Sequence, residues 1–280
     1  MTVTVPDITL NDGVKVPAIG FGTVHLNGAA GVNTLLSAID SGYRFLDSAF
    51  NYENEGTVGE AIRRSSVPRE QLLVTSKLPG RHHAYDKAVT TIQESLFRTG
   101  VDYYDLYLIH WPNPSEDLYL EAWQAMIVAQ KWGLIRSIGV SNFLPAHLER
   151  LIHETGVTPS VNQVELHPYF AQQKQREWHQ AHGIVTESWS PIGKAPHLLE
   201  DNTIQTLAQR HQKTIAQVIL RWHVQLGALP LPKSSTPGRQ VENLSIFDFS
   251  LTDEEMQQIN ALSKPDGRIN DQDPAVYEEF

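Results

Sequence analysis

Eight short apolar runs recur along the chain, and the stretches between them carry the periodicity of amphipathic helices. The runs are Ala18–Gly22, Arg44–Asp47, Leu72–Lys77, Asp105–His110, Ser137–Ser141, Ser160–Glu165, Ile184–Trp189 and Ala228–Leu231. Strands that alternate with helices form right-handed βαβ units, because the crossover packs back onto a twisted strand in one hand only, and the sheet they build is parallel. Eight such units predict a closed (β/α)8 TIM barrel of the α/β class. The 280 residues slightly exceed the roughly 250 of a typical barrel, which leaves room for extra helices. No linker or shift in composition divides the chain, so residues 1–280 are expected to form one barrel domain. Ahead of the first unit, "ITLNDGVKVPAIG" predicts an N-terminal β-hairpin turning at Asn11, Asp12 and Gly13. Gly42, Gly100 and Gly227 follow helical patterns as stops. Thr214 with Gln217, and Thr252 with Glu255, have the spacing of capping boxes.

In a barrel of this kind chemistry sits at the C-terminal strand ends. Asp47 closes the second run, Lys77 the third and His110 the fourth. Ser141 and Asn142 lie at the end of the fifth, Gln163 in the sixth, and Lys233 just past the eighth. Acid, amine and imidazole at three successive strand ends carry a desolvation cost unless they pair. Tyr52 follows Asp47 by five residues in "FLDSAFNYENE". That spacing fits neither a helix face nor a strand face. If the two meet, Asp47 ends a strand and Tyr52 sits on the loop after it. A phenol ordinarily titrates near ~10, and an adjacent ammonium lowers that value. Lys77 can supply the ammonium, Asp47 the counter-charge that keeps it cationic, and His110 a hydrogen bond to a substrate oxygen. Such a set donates a proton to a carbonyl. No side chain can deliver the accompanying hydride, so a nicotinamide cofactor is implied.

Composition removes other classes. A net charge of −10 gives no basic footprint for nucleic acid. With no cysteine there is no disulfide, thiolate metal site or cysteine nucleophile. No run approaches the ~18 apolar residues of a membrane span, and no signal peptide is readable, so a cytoplasmic location is expected. His82 and His83 in "RHHAYD" read as a solvated loop, and His179 with His182 as an exposed helix face, so no metal is expected. "GFGTVH" lacks the third glycine of a dinucleotide fingerprint, with His25 in its place. Thr236-Pro237 reads as a helix start, and such a start presents free N–H groups to an anion.

"FLDSAFNYENEGTVGEAI", "VTSKL", "DLYLIHWP", "IRSIGVSNF", "VNQVELHPY" and "LPKSSTPGRQVEN" together resemble the successive motifs of the aldo-keto reductase family, in its order and nearly end to end. The short loops and "ESWSPIG" are most similar to the bacterial branch that contains the 2,5-diketo-D-gluconate reductases. The resemblance implies an NADPH-dependent carbonyl reductase with a catalytic tetrad of Asp47, Tyr52, Lys77 and His110. It implies that Ser141, Asn142 and Gln163 hold the nicotinamide carboxamide and that Trp189 stacks on the ring. Ser190, Ile192 and Gly193 would run under the pyrophosphate. Lys233, Ser234, Ser235 and Arg239 would take the adenosine 2′-phosphate, with Glu242 and Asn243 at the adenine. Phe50 and Trp111, close in sequence to Tyr52 and His110, are expected to wall the substrate pocket. The family's common monomeric form is the expected state. The alternative is a non-catalytic nucleotide-binding barrel serving as a regulatory or structural subunit; a complete tetrad argues against it.

Overall fold

A computed structural model describes residues 4–193, 196–265 and 267–280. The hairpin forms from β1 (Asp7–Thr9) and β2 (Lys15–Pro17). The eight runs become β3 (Phe21–Gly22), β4 (Phe45–Asp47), β5 (Leu73–Leu78), β6 (Tyr104–Ile109), β7 (Ile135–Ser141), β8 (Val161–Glu165), β9 (Val185–Trp189) and β10 (Ala228–Pro230). They pair in sequence order, each parallel to the next. The ring closes where the Gly20 and Gly22 N–H groups donate to Pro230 O and Pro232 O, each at 3.1 Å. Packing at the closure is tight: a Cβ at Gly20 would lie 2.5 Å from Leu231 Cδ2 and 3.0 Å from Phe45 Cδ1, so a side chain there would force Leu231 to shift.

The helices are α1 (Gly28–Ser41), α2 (Glu55–Arg64), α3 (Tyr85–Thr99), α4 (Tyr119–Lys131), α5 (Pro145–Thr155), α6 (Gln173–Ala181), α7 (Asn202–His211), α8 (Ile215–Gln225), α9 (Pro237–Leu244) and α10 (Asp253–Asn260). Two of them fall between β9 and β10 and two after β10, which is where the extra helices lie. Both capping boxes are made: Thr214 and Gln217 start α8, and Thr252 and Glu255 start α10, each pair bonding reciprocally.

Leu106, Leu108, Val161 and Leu229 fill the barrel interior together with Phe45 and Leu73, and Leu10 and Val16 of the hairpin join the same cluster. The hairpin therefore plugs the N-terminal mouth. Asn11 Nδ2 donates to Pro159 O at 3.0 Å, and Ser137 Oγ to Asp12 Oδ2 at 2.6 Å, which ties the turn to the strand starts. The opposite mouth, at the C-terminal strand ends, is left open.

Two histidine readings need correction. His83 is 1% exposed, not solvated, because the loop after β5 folds it inward. His179 is fully buried, since that face of α6 packs on the sheet. Its Nδ1 faces Thr186 Oγ1 and its Nε2 accepts from Asn162 Nδ2, both at 2.9 Å, and burial pushes its pKa down to about 3. Among the described residues, no group of three potential metal ligands is gathered.

Candidate active site

The parallel register sets Asp47, the last residue of β4, opposite Thr75 of β5. Lys77 lies two residues further along β5 and so points to the same face. Its Nζ is 2.8 Å from Asp47 Oδ1 and 2.9 Å from Oδ2, and donates to Ser48 O at 2.8 Å. Shortly after β4, a 3-10 turn, Phe50–Tyr52, carries Tyr52 back over this pair. Lys77 Nζ donates to Tyr52 Oη at 3.4 Å, so the phenol's own proton must point elsewhere. His110, directly after β6, meets the Tyr52 ring edge-on at 5.9 Å between centroids. Asp47, Tyr52, Lys77 and His110 thus converge on one point.

Electrostatics there are set by burial against pairing. Burial alone would lower Lys77; the Asp47 charge, then Tyr52, outweighs it and holds the ammonium above its ordinary value. For Tyr52 the net direction is upward. Burial raises the phenol, Lys77 pulls it down, and the charges of Asp47 and Glu279 push it up again. The expectation that Lys77 leaves the phenol more acidic than usual is therefore corrected: its pull is present, and burial exceeds it.

Asp47, Tyr52 and His110 open into a cavity of about 500 Å³, with Lys77 buried behind them; it is lined also by Trp111, Ser141, Asn142, Gln163, Trp189, Ser190, Ile192, Gly193 and Lys233. Gln163 Nε2 donates to Asp47 Oδ1 and to Glu187 Oε2, both at 2.9 Å, which leaves its Oε1 to accept. Asn142 donates to His110 O at 3.0 Å and accepts from the Trp189 indole N–H at 2.8 Å. Asn142 and Ser190 have φ of 62° and 49°, the left-handed region that non-glycine residues rarely adopt. Such conformations gather at functional sites, held by their surroundings. A larger cavity of about 940 Å³ lies beside the hairpin, lined by Lys15, Arg44, Asp105 and Arg136. It contains none of the expected site residues and sits at the barrel's stability face rather than its catalytic one.

The family model described as "Aldo/keto reductase family" matches residues 18–264. The chain belongs to the aldo/keto reductase family. It is 53% identical over 276 residues, 99% of both chains, to 2,5-diketo-D-gluconic acid reductase B of Corynebacterium sp. (strain SHS752001). It is 44% identical to morphine 6-dehydrogenase of Pseudomonas putida over 98% of each chain. Among solved structures, a variant of Gox0644 in complex with NADPH superposes with a TM-score of 0.93 at 39% identity, covering 98% of this chain and 99% of that one.

The remaining expected positions of this aldo/keto reductase fall into three groups. Lys233 reaches the cavity's end, while Ser234, Ser235 and Arg239 lie beyond it at the start of α9. That helix begins at Pro237, and the preceding Thr236 makes no side-chain cap, so the first N–H groups carry no side-chain partner there. Glu242 is tied to α8, accepting from Thr214 Oγ1 at 2.8 Å, and Asn243 is buried. Phe50 does not line the cavity. Its ring packs under the Arg98 guanidinium, 4.1 Å from the ring centroid, and against His82 at 5.2 Å. Trp111 does line it, 4.4 Å from the Tyr277 ring.

Two residues of the site were not singled out from sequence. Glu187 is fully buried beside Gln163, and burial, then the Asp47 charge, pushes its pKa up to about 8. An acid inside the apolar run of β9 was the available signal. Glu279 contacts His110 from 169 positions away in the chain, and no local pattern announces it.

Proposed function

We propose that this aldo/keto reductase uses NADPH to reduce aldehydes or ketones to alcohols, with Tyr52 as the proton donor. One observation carries the reading: a buried, Asp47-paired Lys77 ammonium touches the Tyr52 oxygen at a cavity mouth shared with His110. Lys77 occupies one lone pair of the phenol and favours the negative charge that develops as the proton leaves. His110 holds the carbonyl oxygen against Tyr52. A site with this proton relay in place argues against a purely structural barrel.

The chain's residues fit the cofactor. Gln163 Oε1 is left to accept from a carboxamide, Trp189 presents a half-buried indole at the cavity wall, and Lys233 and Arg239 are exposed cations flanking the start of α9. NADPH, when bound, supplies the hydride. The 2′-phosphate would fall to Lys233, Ser234, Ser235 and Arg239, where a helix N-terminus adds its own attraction for an anion.

The substrate is a small aldehyde, keto acid or keto sugar, in keeping with the relative named for 2,5-diketo-D-gluconic acid. We take residues 1–280 as one barrel domain, acting as a monomer in the cytoplasm. The test is a panel of aldehydes, ketones, keto acids and keto sugars with NADPH, followed by loss of the reduced nicotinamide's absorbance. Turnover of at least one class supports the reading, and a protein that binds NADPH yet consumes none with any class contradicts it.

A further inference from the structure

Segment 273–280 runs over the open mouth and is clamped there. Asn113 and Glu279 exchange two hydrogen bonds: Asn113 Nδ2 donates to Glu279 O at 2.9 Å, and the Glu279 N–H donates to Asn113 Oδ1 at 3.0 Å. The Ser115 N–H donates to Glu278 Oε1 at 2.7 Å, and Tyr277 packs on Trp111. These contacts hold the Glu279 backbone, and its side chain turns inward until the residue is 7% exposed.

The carboxylate is then surrounded by donors. Gly80 N–H donates to Oε2 at 2.8 Å, and Asn51 Nδ2 to Oε1 at 2.7 Å. Oε1 also lies 2.6 Å from His110 Nδ1, a charge contact set off the straight line of an N–H bond. Burial would raise Glu279, but the His110 charge, with the hydrogen bonds around it, outweighs burial and holds the carboxyl below its ordinary value. The other titratable groups that feel this charge are Tyr52 and His83, the latter on the loop after β5. His83 is buried and pushed down to about 4, so it brings no charge at neutral pH. Of these groups, His110 is the one whose ring nitrogen lies against the carboxylate, 2.6 Å from Oε1.

The donor inventory of imidazole sharpens this. Nδ1 of His110 is buried against Glu279, so Nε2 is the nitrogen left to face the cavity. A neutral ring carries one N–H. If that proton sits on Nδ1, Nε2 meets a carbonyl oxygen acceptor to acceptor. If it sits on Nε2, Nδ1 meets the carboxylate acceptor to acceptor. Only a ring protonated on both nitrogens satisfies both contacts, and a carboxylate beside Nδ1 stabilises that form.

We propose that Glu279 is a positioning residue for His110: it fixes the ring with Nε2 toward the cavity and supplies the counter-charge for the doubly protonated imidazole that holds the carbonyl oxygen against Tyr52. The catalytic part of this inference rests on the carbonyl-reductase reading; the Glu279–His110 pairing does not. Glu279→Gln keeps the size and acceptor oxygen but removes the charge, and Glu279→Asp restores it. Asn113→Ala loosens the clamp without touching the carboxylate.

The experiment combines steady-state kinetics, NADPH affinity and nitrogen-15 spectra of the histidine side chains in the full chain at neutral pH. Glu279→Gln should lower kcat by roughly tenfold, the low end of what losing a hydrogen-bonded partner costs a metal-bound imidazole, with NADPH affinity unchanged. His110 should change from doubly protonated to a single neutral tautomer, and Glu279→Asp should recover both. Wild-type kcat in Glu279→Gln, or a neutral His110 in the unaltered protein, would overturn the proposal. So would equal losses in Asn113→Ala and Glu279→Gln with His110 protonation unchanged in both, which marks the strap as structural. Failure of the reductase reading appears separately, as absent turnover in the unaltered enzyme, and the spectra still decide the pairing.

Discussion

Lys77 and Asp47 form a forked ion pair with Nζ 2.8 Å from one carboxylate oxygen and 2.9 Å from the other, and Lys77 has no solvent exposure. Breaking a buried pair from one side leaves an uncompensated charge, which costs about 3–5 kcal/mol. Lys77→Met should therefore lower the melting temperature as well as abolish most carbonyl reduction. Asp47→Asn combined with Lys77→Met should regain stability without regaining activity, since the orphan charge is gone but the ammonium beside Tyr52 is not restored. Full turnover in Lys77→Met would remove Lys77 from the mechanism.

Glu187 gives a pH dependence of stability. Its carboxyl is raised in the folded state to about 8 from an ordinary 4.5. Between these values the folded chain holds a proton that the unfolded chain has lost, so the slope of unfolding free energy with pH is negative. The contribution is fully present below about pH 4.5 and lost as pH rises through about 8. Glu187→Gln cannot ionise, so its melting temperature should gain on the parent's as pH rises from 5 to 8 in thermal scans. A constant gap across that range would show that Glu187 does not titrate as described.

Under the proposed function, cofactor choice turns on the start of α9. Arg239→Ala should weaken NADPH binding by roughly 1.5–3 kcal/mol, the scale of a hydrogen bond to a charged group, and hardly change NADH. Titration of nicotinamide fluorescence with both cofactors checks this. Equal losses for the two would show that Arg239 does not read the phosphate.

Trp111 and Phe50 are expected to behave differently. Trp111 is 6% exposed at the cavity wall and packs on Tyr277, so Trp111→Ala should reorder the carbonyl panel while leaving NADPH affinity alone. Phe50 lies under Arg98 and away from the cavity, so Phe50→Ala should preserve the order of substrates. The reverse pattern would misplace both side chains.

Much of this was legible from periodicity. Strand ends are dictated by local patterns, and the barrel rule turns strand ends into site positions, so Asp47, Lys77 and His110 could be brought together on paper. The first run, Ala18–Gly22, shortened to Phe21–Gly22, the two residues in register with Leu46 and Asp47 of β4; on its other side it makes only the isolated bonds to Pro230 and Pro232. What escaped was the work of long-range packing. His83 and His179 look polar and local in sequence, yet tertiary contacts bury them. Phe50 stands two residues from Tyr52, but the 3-10 turn sends the two rings to different places. Glu279 reaches His110 through long-range contacts of the C-terminal segment, among them the clamp to Asn113, a contact between residues 166 apart. The upward shift of Tyr52 depends on the summed burial of the mouth, which no motif encodes.

In the proposed reaction Tyr52 gives the proton. Tyr52→Phe keeps the aromatic ring, whose centroid lies 4.8 Å from Lys77 Nζ, and removes only the hydroxyl. The decisive measurement is single-turnover reduction of a carbonyl substrate by the pre-formed NADPH complex of this variant beside the parent enzyme. The rate should fall by roughly 10²–10⁴-fold, the span attributed to general acid catalysis, while NADPH affinity stays within about twofold, since the hydroxyl is assigned no cofactor contact. A variant that binds NADPH normally and reduces the carbonyl at the parent rate would contradict the account.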